Sequence, residues 1–264
     1  MSDGVSDAKN EVFALLESAN TNCKCEVQAG VNINDRKGVS APDMLVLHYT
    51  GMPSGDQALN WLCVEESQVS CHYLVHEDGR IVQMVDEKMR AWHAGVSSWR
   101  GFEDINSRSI GIEIVNPGHD HGYPDFPQVQ IDAVIDLCKD ILVRNEIEPR
   151  NVVAHSDIAP MRKLDPGEKF PWDELASHGI GHYVEPSTLS DGRFLSVGES
   201  GQPVAALQSM LALYGYGVVP TGEYDALTQS CVKAFQMHYR RTNIDGVADG
   251  ATIDTLYRLI KALD

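Results

Sequence analysis

Short apolar runs alternate with helical patterns along residues 41–180, and this alternation limits the fold more than any other feature of the chain. Met44–His48, Ser109–Val115 and Asn151–His155 have the length and composition of buried strands. Between the first two strands, the pattern of Gln57–Glu66 favours a helix. Strands that alternate with helices predict an α/β domain.

A hairpin pattern interrupts this alternation. Cys71–His76 and Arg80–Met84 flank an Asp78-Gly79 turn, a combination that is typical of two antiparallel strands. A long helix is then expected, with Asp125 as its cap and Pro127 in its first turn. An antiparallel pair within an α/β domain predicts a mixed β-sheet flanked by helices.

The chain divides into four parts on its pattern. Residues 1–40 are expected to be an N-terminal extension that packs on the α/β domain of residues 41–180. Residues 181–193 are rich in Gly, Pro and Ser and have the composition of a linker. Residues 194–264 carry three apolar faces at helical spacing and predict a small three-helix domain. These faces are Val204, Leu207 and Leu211; Val232, Phe235 and Tyr239; and Ile253, Leu256, Tyr257 and Ile260.

Charge and hydropathy exclude several partners. The net charge is −17, which argues against binding to duplex nucleic acid or to anionic lipid. No run of 18 apolar residues occurs, so no transmembrane helix is expected. No signal peptide is visible, which favours the cytoplasm; the periplasm or cell envelope is the alternative if the sequence is trimmed or exported by another route. The six cysteines are expected to be reduced, with a Cys63–Cys71 disulfide as the alternative for an exported protein.

Two histidines end apolar strands, and a polar turn with an acidic residue follows the second. His48 and His155 occupy the strand ends, and Asp165 comes ten residues after His155. Two imidazoles and one carboxylate leave a fourth zinc position open, which is the arrangement of catalytic zinc sites. A structural, hydrogen-bonded histidine is the more common alternative at the end of a strand.

Five blocks of sequence resemble the AmpD-like N-acetylmuramoyl-L-alanine amidases, which are related to the peptidoglycan recognition proteins. The blocks follow one another in the order of that family and span about residues 40–175. They are Leu45–Thr50, Ala91–Gly95, Ser109–Glu113, Ala154–Pro160 and Arg162–Gly167.

The resemblance implies an enzyme with one zinc ion, held by His48, His155 and Asp165. Its substrate would be peptidoglycan or a muropeptide. The bond cleaved would be the amide between the lactyl group of N-acetylmuramic acid, in its anhydro or ordinary form, and L-alanine of the stem peptide. Such an enzyme acts in cell-wall degradation or muropeptide recycling.

Two further residues have predicted roles in the chemistry. Glu113 is a lone carboxylate in an apolar strand, and it is expected to act as the general base. An ion pair with Arg108 or Arg162 is the alternative. Lys163 precedes Asp165 by two residues and is expected to stabilise the oxyanion, with an ordinary surface lysine as the alternative.

Five residues are expected to contact the substrate. Trp92 and His93 are predicted to line the groove, although a packed tryptophan beside a histidine that orients a metal ligand is an equal alternative. Tyr73 and Asn116 are weaker candidates for its wall. Tyr49 follows His48 directly, which is closer to broad-specificity amidases than to strict recycling enzymes.

The C-terminal segment has a resemblance of its own. Leu207-Gln208, Tyr224–Thr228, Phe235-Gln236 and Asp245-Gly246 together resemble the peptidoglycan-binding type 1 domain. The resemblance implies that this domain binds cell wall or muropeptide and raises the local concentration of substrate.

Two other functions compete with this prediction. One is a recognition module that binds peptidoglycan without cleaving it. The other is a different zinc hydrolase, such as a peptidase that cuts within the stem peptide. The presence of Glu113 and Lys163 beside the metal set favours an enzyme over a recognition module.

Overall fold

A computed structural model describes residues 16, 18–189, 192 and 194–263. Most of the first 17 residues of the predicted N-terminal extension therefore lie outside the described part. So do residues 190, 191 and 193 of the predicted linker.

In the part of the chain that the structure describes, eight short strands form two sheets. A six-stranded sheet has the order β1-β5-β4-β7-β3-β8, and β2 pairs with β6 in a separate antiparallel sheet. The strands are β1 (Cys25–Val27), β2 (Ile33–Asp35), β3 (Met44–Tyr49), β4 (Tyr73–Val75), β5 (Ile81–Gln83), β6 (Met89–Ala91), β7 (Ser109–Ile114) and β8 (Val152–Ala154). Strand β7 runs parallel to β3 and β4, whereas β4 and β5 are antiparallel. The mixed sheet predicted from the sequence is confirmed.

The β4–β5 hairpin turns at the predicted Asp78-Gly79 pair. Gly79 has a φ of +84°, a left-handed conformation that glycine adopts without strain. A Cβ atom at this position would also lie 2.9 Å from the carbonyl oxygen of Val129. Glycine is therefore required here both by the backbone conformation and by the close approach of a neighbouring segment.

Eight α-helices accompany the strands in the described residues. They are α1 (Gly55–Cys63), α2 (Ile105–Arg108), α3 (Gln128–Arg144), α4 (His155–Ile158), α5 (Trp172–Ser177), α6 (Gln202–Tyr214), α7 (Ala226–Tyr239) and α8 (Gly250–Lys261). Short 3-10 turns cover Glu65–Ser67, His119–His121 and Pro149–Asn151. The predicted cap of α3 is wrong, because Pro127 and not Asp125 is its N-cap residue. Pro127 itself has a ψ of 141°, outside the helical range, so the helix begins only at Gln128.

Contacts within the chain define two compact units. In the described residues, the first unit contains residues 18–95 and 106–148. Part of its core comprises Ala58, Leu59, Leu62, Cys71, Leu74, Val82, Met84, Val85, Ala91 and Val115. Arg36 of the N-terminal segment donates hydrogen bonds to the carbonyl oxygens of Glu87, Ser107 and Ser109. This arginine therefore ties the N-terminal segment to the α/β part of the unit.

The second unit contains residues 96–105 and 149–263, and it includes the three predicted C-terminal helices. Asp225 caps α7 and Asp249 caps α8, each by accepting a backbone N–H bond. The prediction for α8 was wrong at Tyr257, which is exposed. Its buried stripe instead runs through Thr252, Thr255, Leu256 and Leu259, because Thr255 faces the core where Tyr257 was expected. The domain limits predicted from the sequence stay a prediction.

All six cysteines are free thiols, and the alternative Cys63–Cys71 disulfide is not formed. Among the residues that the structure describes, no helix has the length and apolar character needed to span a membrane.

Candidate metal centre and active site

The parallel pairing of β3 with β7 places His48 beside Glu113. The two residues are partners in the strand register, and paired residues point to the same face of a sheet. His48 is buried, whereas Glu113 is half-buried. The predicted ligand and the predicted base are therefore neighbours at the carboxyl end of two adjacent strands.

His155 and Asp165 meet through a turn of the backbone. His155 is the first residue of α4, directly after β8. The N–H of Ser156 donates to the carbonyl oxygen of Asp165, and Nδ1 of His155 lies 3.0 Å from Oδ2 of Asp165. Both side chains are buried. Two of the three predicted ligands therefore face each other directly.

His48, His155 and Asp165 form a cluster that could bind a metal ion. Each offers one ligand atom, the three atoms lie within 4.8 Å of one another, and all three side chains are buried. Zinc distances of about 2.0–2.1 Å at tetrahedral angles place neighbouring ligand atoms about 3.3 Å apart. The 3.0 Å separation between His155 and Asp165 is close to that value. Two imidazoles and one carboxylate therefore fit zinc in type, and the His155–Asp165 pair also fits it in spacing.

His93 contacts the metal candidate His48 directly. Nδ1 of His93 lies 3.0 Å from Nε2 of His48, and its Nε2 lies 3.1 Å from Oγ of Ser109. Asn106 accepts hydrogen bonds from the backbone N–H groups of His93 and Ala94. The ring is buried. Of the two alternatives for His93, the structure favours a residue that orients a ligand over one that lines a groove.

Two of the predicted wall residues lie in the interior. Tyr73 is 0% exposed, and its hydroxyl donates to Oε1 of Glu87 at 2.7 Å. Asn116 is 2% exposed; its amide donates to the carbonyl oxygen of Pro124 and its Oδ1 accepts from Gly118. These positions do not suit the substrate wall that we expected, because the side chains support loops and the core.

Trp92 and Tyr49 are half-buried and so keep part of their surface exposed. The indole N–H of Trp92 donates to Asn34, and the hydroxyl of Tyr49 lies 3.0 Å from Nδ1 of His119. His119 in turn stacks on Tyr123. The contact of His119 with Tyr49 and Tyr123 could not be predicted from the sequence, because a histidine in a Gly- and Pro-rich loop gives no sign of its partners.

Glu113 and Lys163, the predicted general base and oxyanion stabiliser, are both half-buried. Burial raises the pKa of the Cys71 thiol well above its usual value, and the negative charge of Glu113 adds to this shift. Glu113 is thus close enough to a buried thiol to affect its ionisation. Arg108, one alternative partner for Glu113, forms an ion pair with Asp43. Lys163 lies in the turn between α4 and Asp165, and its N–H donates to the carbonyl oxygen of Ala159.

Comparison with known proteins decides the family. A family model for N-acetylmuramoyl-L-alanine amidase matches residues 38–168, and one for a peptidoglycan binding domain matches residues 200–256. The N-acetylmuramoyl-L-alanine amidase AmiD of Escherichia coli K12 is 42% identical over 224 residues, which cover 79% of each chain. The chain belongs to the N-acetylmuramoyl-L-alanine amidase family. The resemblance found in the sequence is confirmed for both segments.

Solved structures of amidases agree with this assignment. The complex of Escherichia coli AmiD with anhydro-N-acetylmuramic acid-L-Ala-D-γ-Glu-L-Lys has a TM-score of 0.73 and 38% identity, and the match covers 87% of this amidase and 93% of that chain. Pseudomonas aeruginosa AmpDh3 in complex with anhydromuramic pentapeptide also has a TM-score of 0.73, at 35% identity over 94% of this amidase and 97% of that chain. The enzyme class predicted from the sequence is therefore confirmed.

Proposed function

We propose that this amidase binds one zinc ion through His48, His155 and Asp165. It uses the ion to hydrolyse the amide between the lactyl group of anhydro-N-acetylmuramic acid and L-alanine of the stem peptide. The buried cluster of two imidazoles and one carboxylate is the observation that carries this proposal. The anhydromuramyl peptides bound to the two related structures support the substrate class.

The hydrogen bonds support an assignment of ligand atoms to the ion. Because Nε2 of His48 contacts His93, Nδ1 is the nitrogen of His48 that we assign to the metal. Nδ1 of His155 and Oδ2 of Asp165 already face each other and complete the set. When bound, zinc acts as a Lewis acid that polarises the substrate carbonyl and lowers the pKa of the attacking water to about 7.

We assign the proton transfer in this reaction to Glu113. It is the register partner of His48 on the same face of the sheet, so its carboxylate can accept a proton from the attacking water. The same carboxylate then delivers the proton to the leaving amine nitrogen. Lys163 precedes the assigned ligand Asp165 by two residues in the same turn. We therefore assign to its ammonium group the positive charge that stabilises the oxyanion. Tyr49 and Trp92 are the remaining candidates for substrate contact.

The C-terminal domain matches a peptidoglycan binding family, so we assign it a second contact with the polymer or muropeptide. A second contact raises the effective concentration of the substrate at the catalytic domain. The cytoplasmic location expected from the sequence stays a prediction.

Product analysis separates this function from its rivals. An amidase releases anhydro-N-acetylmuramic acid and an intact stem peptide with a free L-alanine amine, whereas a peptidase leaves L-alanine attached to the sugar. A recognition module binds the muropeptide and releases neither. Mass spectrometry of the products formed from a soluble anhydro-muropeptide and from intact sacculi tests the proposal. Cleavage within the peptide would overturn it.

The role of Glu113 has its own test. Glu113→Gln keeps the shape of the side chain and removes the base, so we expect kcat to fall by about 10²–10⁴-fold. Zinc content should stay at one ion per chain, because Glu113 is not assigned as a ligand. Unchanged kcat in this variant would contradict the assigned mechanism while leaving the metal site intact.

A further inference from the structure

Asp157 is a carboxylate in the interior of the second unit. It lies in α4, two residues after the assigned ligand His155, and it is 0% exposed. A buried carboxylate is costly unless hydrogen bonds satisfy its oxygens. Both oxygens of Asp157 accept such bonds, and two of the donors come from the segment that matches the peptidoglycan binding family.

Those two donors are side chains of Tyr216 and His238. The hydroxyl of Tyr216 donates to Oδ1 of Asp157 at 2.6 Å, and Nδ1 of His238 lies 2.7 Å from Oδ2. Tyr216 follows α6 and packs edge-on against Trp99, with 5.1 Å between ring centroids. The ring of His238 stacks on Trp172 at 3.7 Å. Aromatic packing therefore holds both donors in place around the carboxylate.

The same carboxylate holds the backbone that carries the ligands. Oδ2 of Asp157 accepts from the N–H of Ala154, the residue directly before His155. The N–H of Ser156, the residue directly after His155, donates to the carbonyl oxygen of Asp165. A shift of the Asp157 carboxylate would therefore turn the first residues of α4, on which the separation of His155 and Asp165 depends.

We propose that the C-terminal helical domain is a structural part of the metal centre, with Tyr216 and His238 as positioning residues that act through Asp157. The proposal rests on the zinc site proposed above. It gives this domain a task besides binding the polymer, because its side chains fix the backbone between two metal ligands. Partners that orient metal ligands without touching the ion commonly change metal affinity by about 10–100-fold when they are removed.

The test compares two buried tyrosine hydroxyls of the same domain in the full-length chain. Tyr216→Phe removes the donor to Asp157 and keeps the ring on Trp99. Tyr224→Phe is the matched control, since its hydroxyl donates at 2.8 Å to the carbonyl oxygen of Gly246 and the residue is equally buried. Zinc affinity is measured by competition with a chromophoric chelator, and the stability of each metal-free protein by urea unfolding.

We expect Tyr216→Phe to weaken zinc binding about tenfold. Tyr224→Phe should lose comparable stability but keep the zinc affinity of the wild type. His238→Leu should weaken zinc binding as Tyr216→Phe does. His238→Asn should recover much of the affinity, because its amide places a nitrogen near the position of Nδ1.

Equal zinc affinity in Tyr216→Phe, His238→Leu and Tyr224→Phe would overturn the proposal. In that case Tyr216 and His238 would serve only to dock the domain. The wild-type measurement separates this failure from a failure of the proposed function. A wild-type protein that binds no zinc would refute the zinc site itself, and the positioning role with it.

Discussion

The ring of His93 has a different partner at each of its two nitrogens. If Nδ1 accepts the N–H of His48, then Nε2 carries the proton and donates to Ser109. This arrangement places the proton of His48 on Nε2 and leaves a lone pair on its Nδ1 for the metal. In this arrangement, the chain of hydrogen bonds from Ser109 through His93 sets the tautomer of His48 as well as its orientation.

This arrangement predicts how substitutions of His93 affect the metal. His93→Leu removes the acceptor, and we expect zinc affinity to fall by about 10–100-fold. His93→Asn places an amide oxygen near the position of Nδ1, so it should retain most of the affinity. Chelator competition measures both. Equal losses in the two variants would show that the size of the ring matters and its acceptor does not.

The sequence was enough to predict the three candidate metal ligands, but not the surroundings of all the residues near them. Two histidines at strand ends and an acidic turn were visible because each lies beside an element boundary. Tyr73 and Asn116 were assigned to a wall incorrectly, because their partners Glu87 and Pro124 are set by the packing of loops. Asp157 was not recognised at all, since its partners are 59 and 81 residues away in the sequence.

At the scale of an element, strand β7 helps to position His93 and Glu113. Gly111 shares the face of Glu113, and a Cβ atom there would lie 2.7 Å from the ring of His93 and 2.8 Å from Sγ of Cys71. Its φ is not in the left-handed region, so the need for glycine here is one of space. The strand therefore leaves room for His93 at one residue and presents the predicted base two residues later.

Gly111→Ala tests this use of space. We expect it to lower the free energy of unfolding by about 1–3 kcal/mol, because the methyl group displaces His93 and Cys71. It should also weaken zinc binding. Ile110→Val is the control, since it trims the opposite face of β7 at a cost of about 0.5–1.5 kcal/mol. Urea unfolding and chelator competition give both quantities. A loss of zinc affinity in Ile110→Val as large as in Gly111→Ala would show that Gly111 does not support the metal site by leaving room for His93.

Long apolar strands were predictable, whereas short edge strands were not. β3 and β7 matched their predicted ranges within one residue, because six apolar-rich residues carry a clear pattern. β1, β2 and β6 have only three residues each. Their existence depends on partners far along the chain, such as Ile81–Gln83 for β1, so local pattern has no information about them.

At the scale of the whole molecule, a buried histidine makes stability depend on pH. Burial, together with the smaller effect of the positive charge of Arg36, lowers the pKa of His72 from 6.5 to about 3. Its Nδ1 accepts the N–H of Gly111, and its Nε2 lies 3.1 Å from the carbonyl oxygen of Met89. The folded protein thus keeps a neutral imidazole where the unfolded chain would take up a proton.

The sign of this effect is destabilisation by acid. Between pH 6.5 and about 3 the unfolded chain binds one more proton at this position. The free energy of unfolding therefore falls by up to about 1.4 kcal/mol for each unit that the pH drops. His72→Asn keeps an acceptor for Gly111 but does not titrate. Urea unfolding of the metal-free proteins between pH 6 and pH 4 should give a shallower slope for the variant. Identical slopes would contradict the assignment.

The proposed function depends on a single zinc ion at His48, His155 and Asp165 that enables hydrolysis. The most direct measurement is a zinc titration of the metal-free protein, with release of intact stem peptide from an anhydro-muropeptide followed by mass spectrometry. We expect no release without metal, a linear rise to one zinc per chain, and a plateau thereafter. Full release by the metal-free protein would contradict the proposed function.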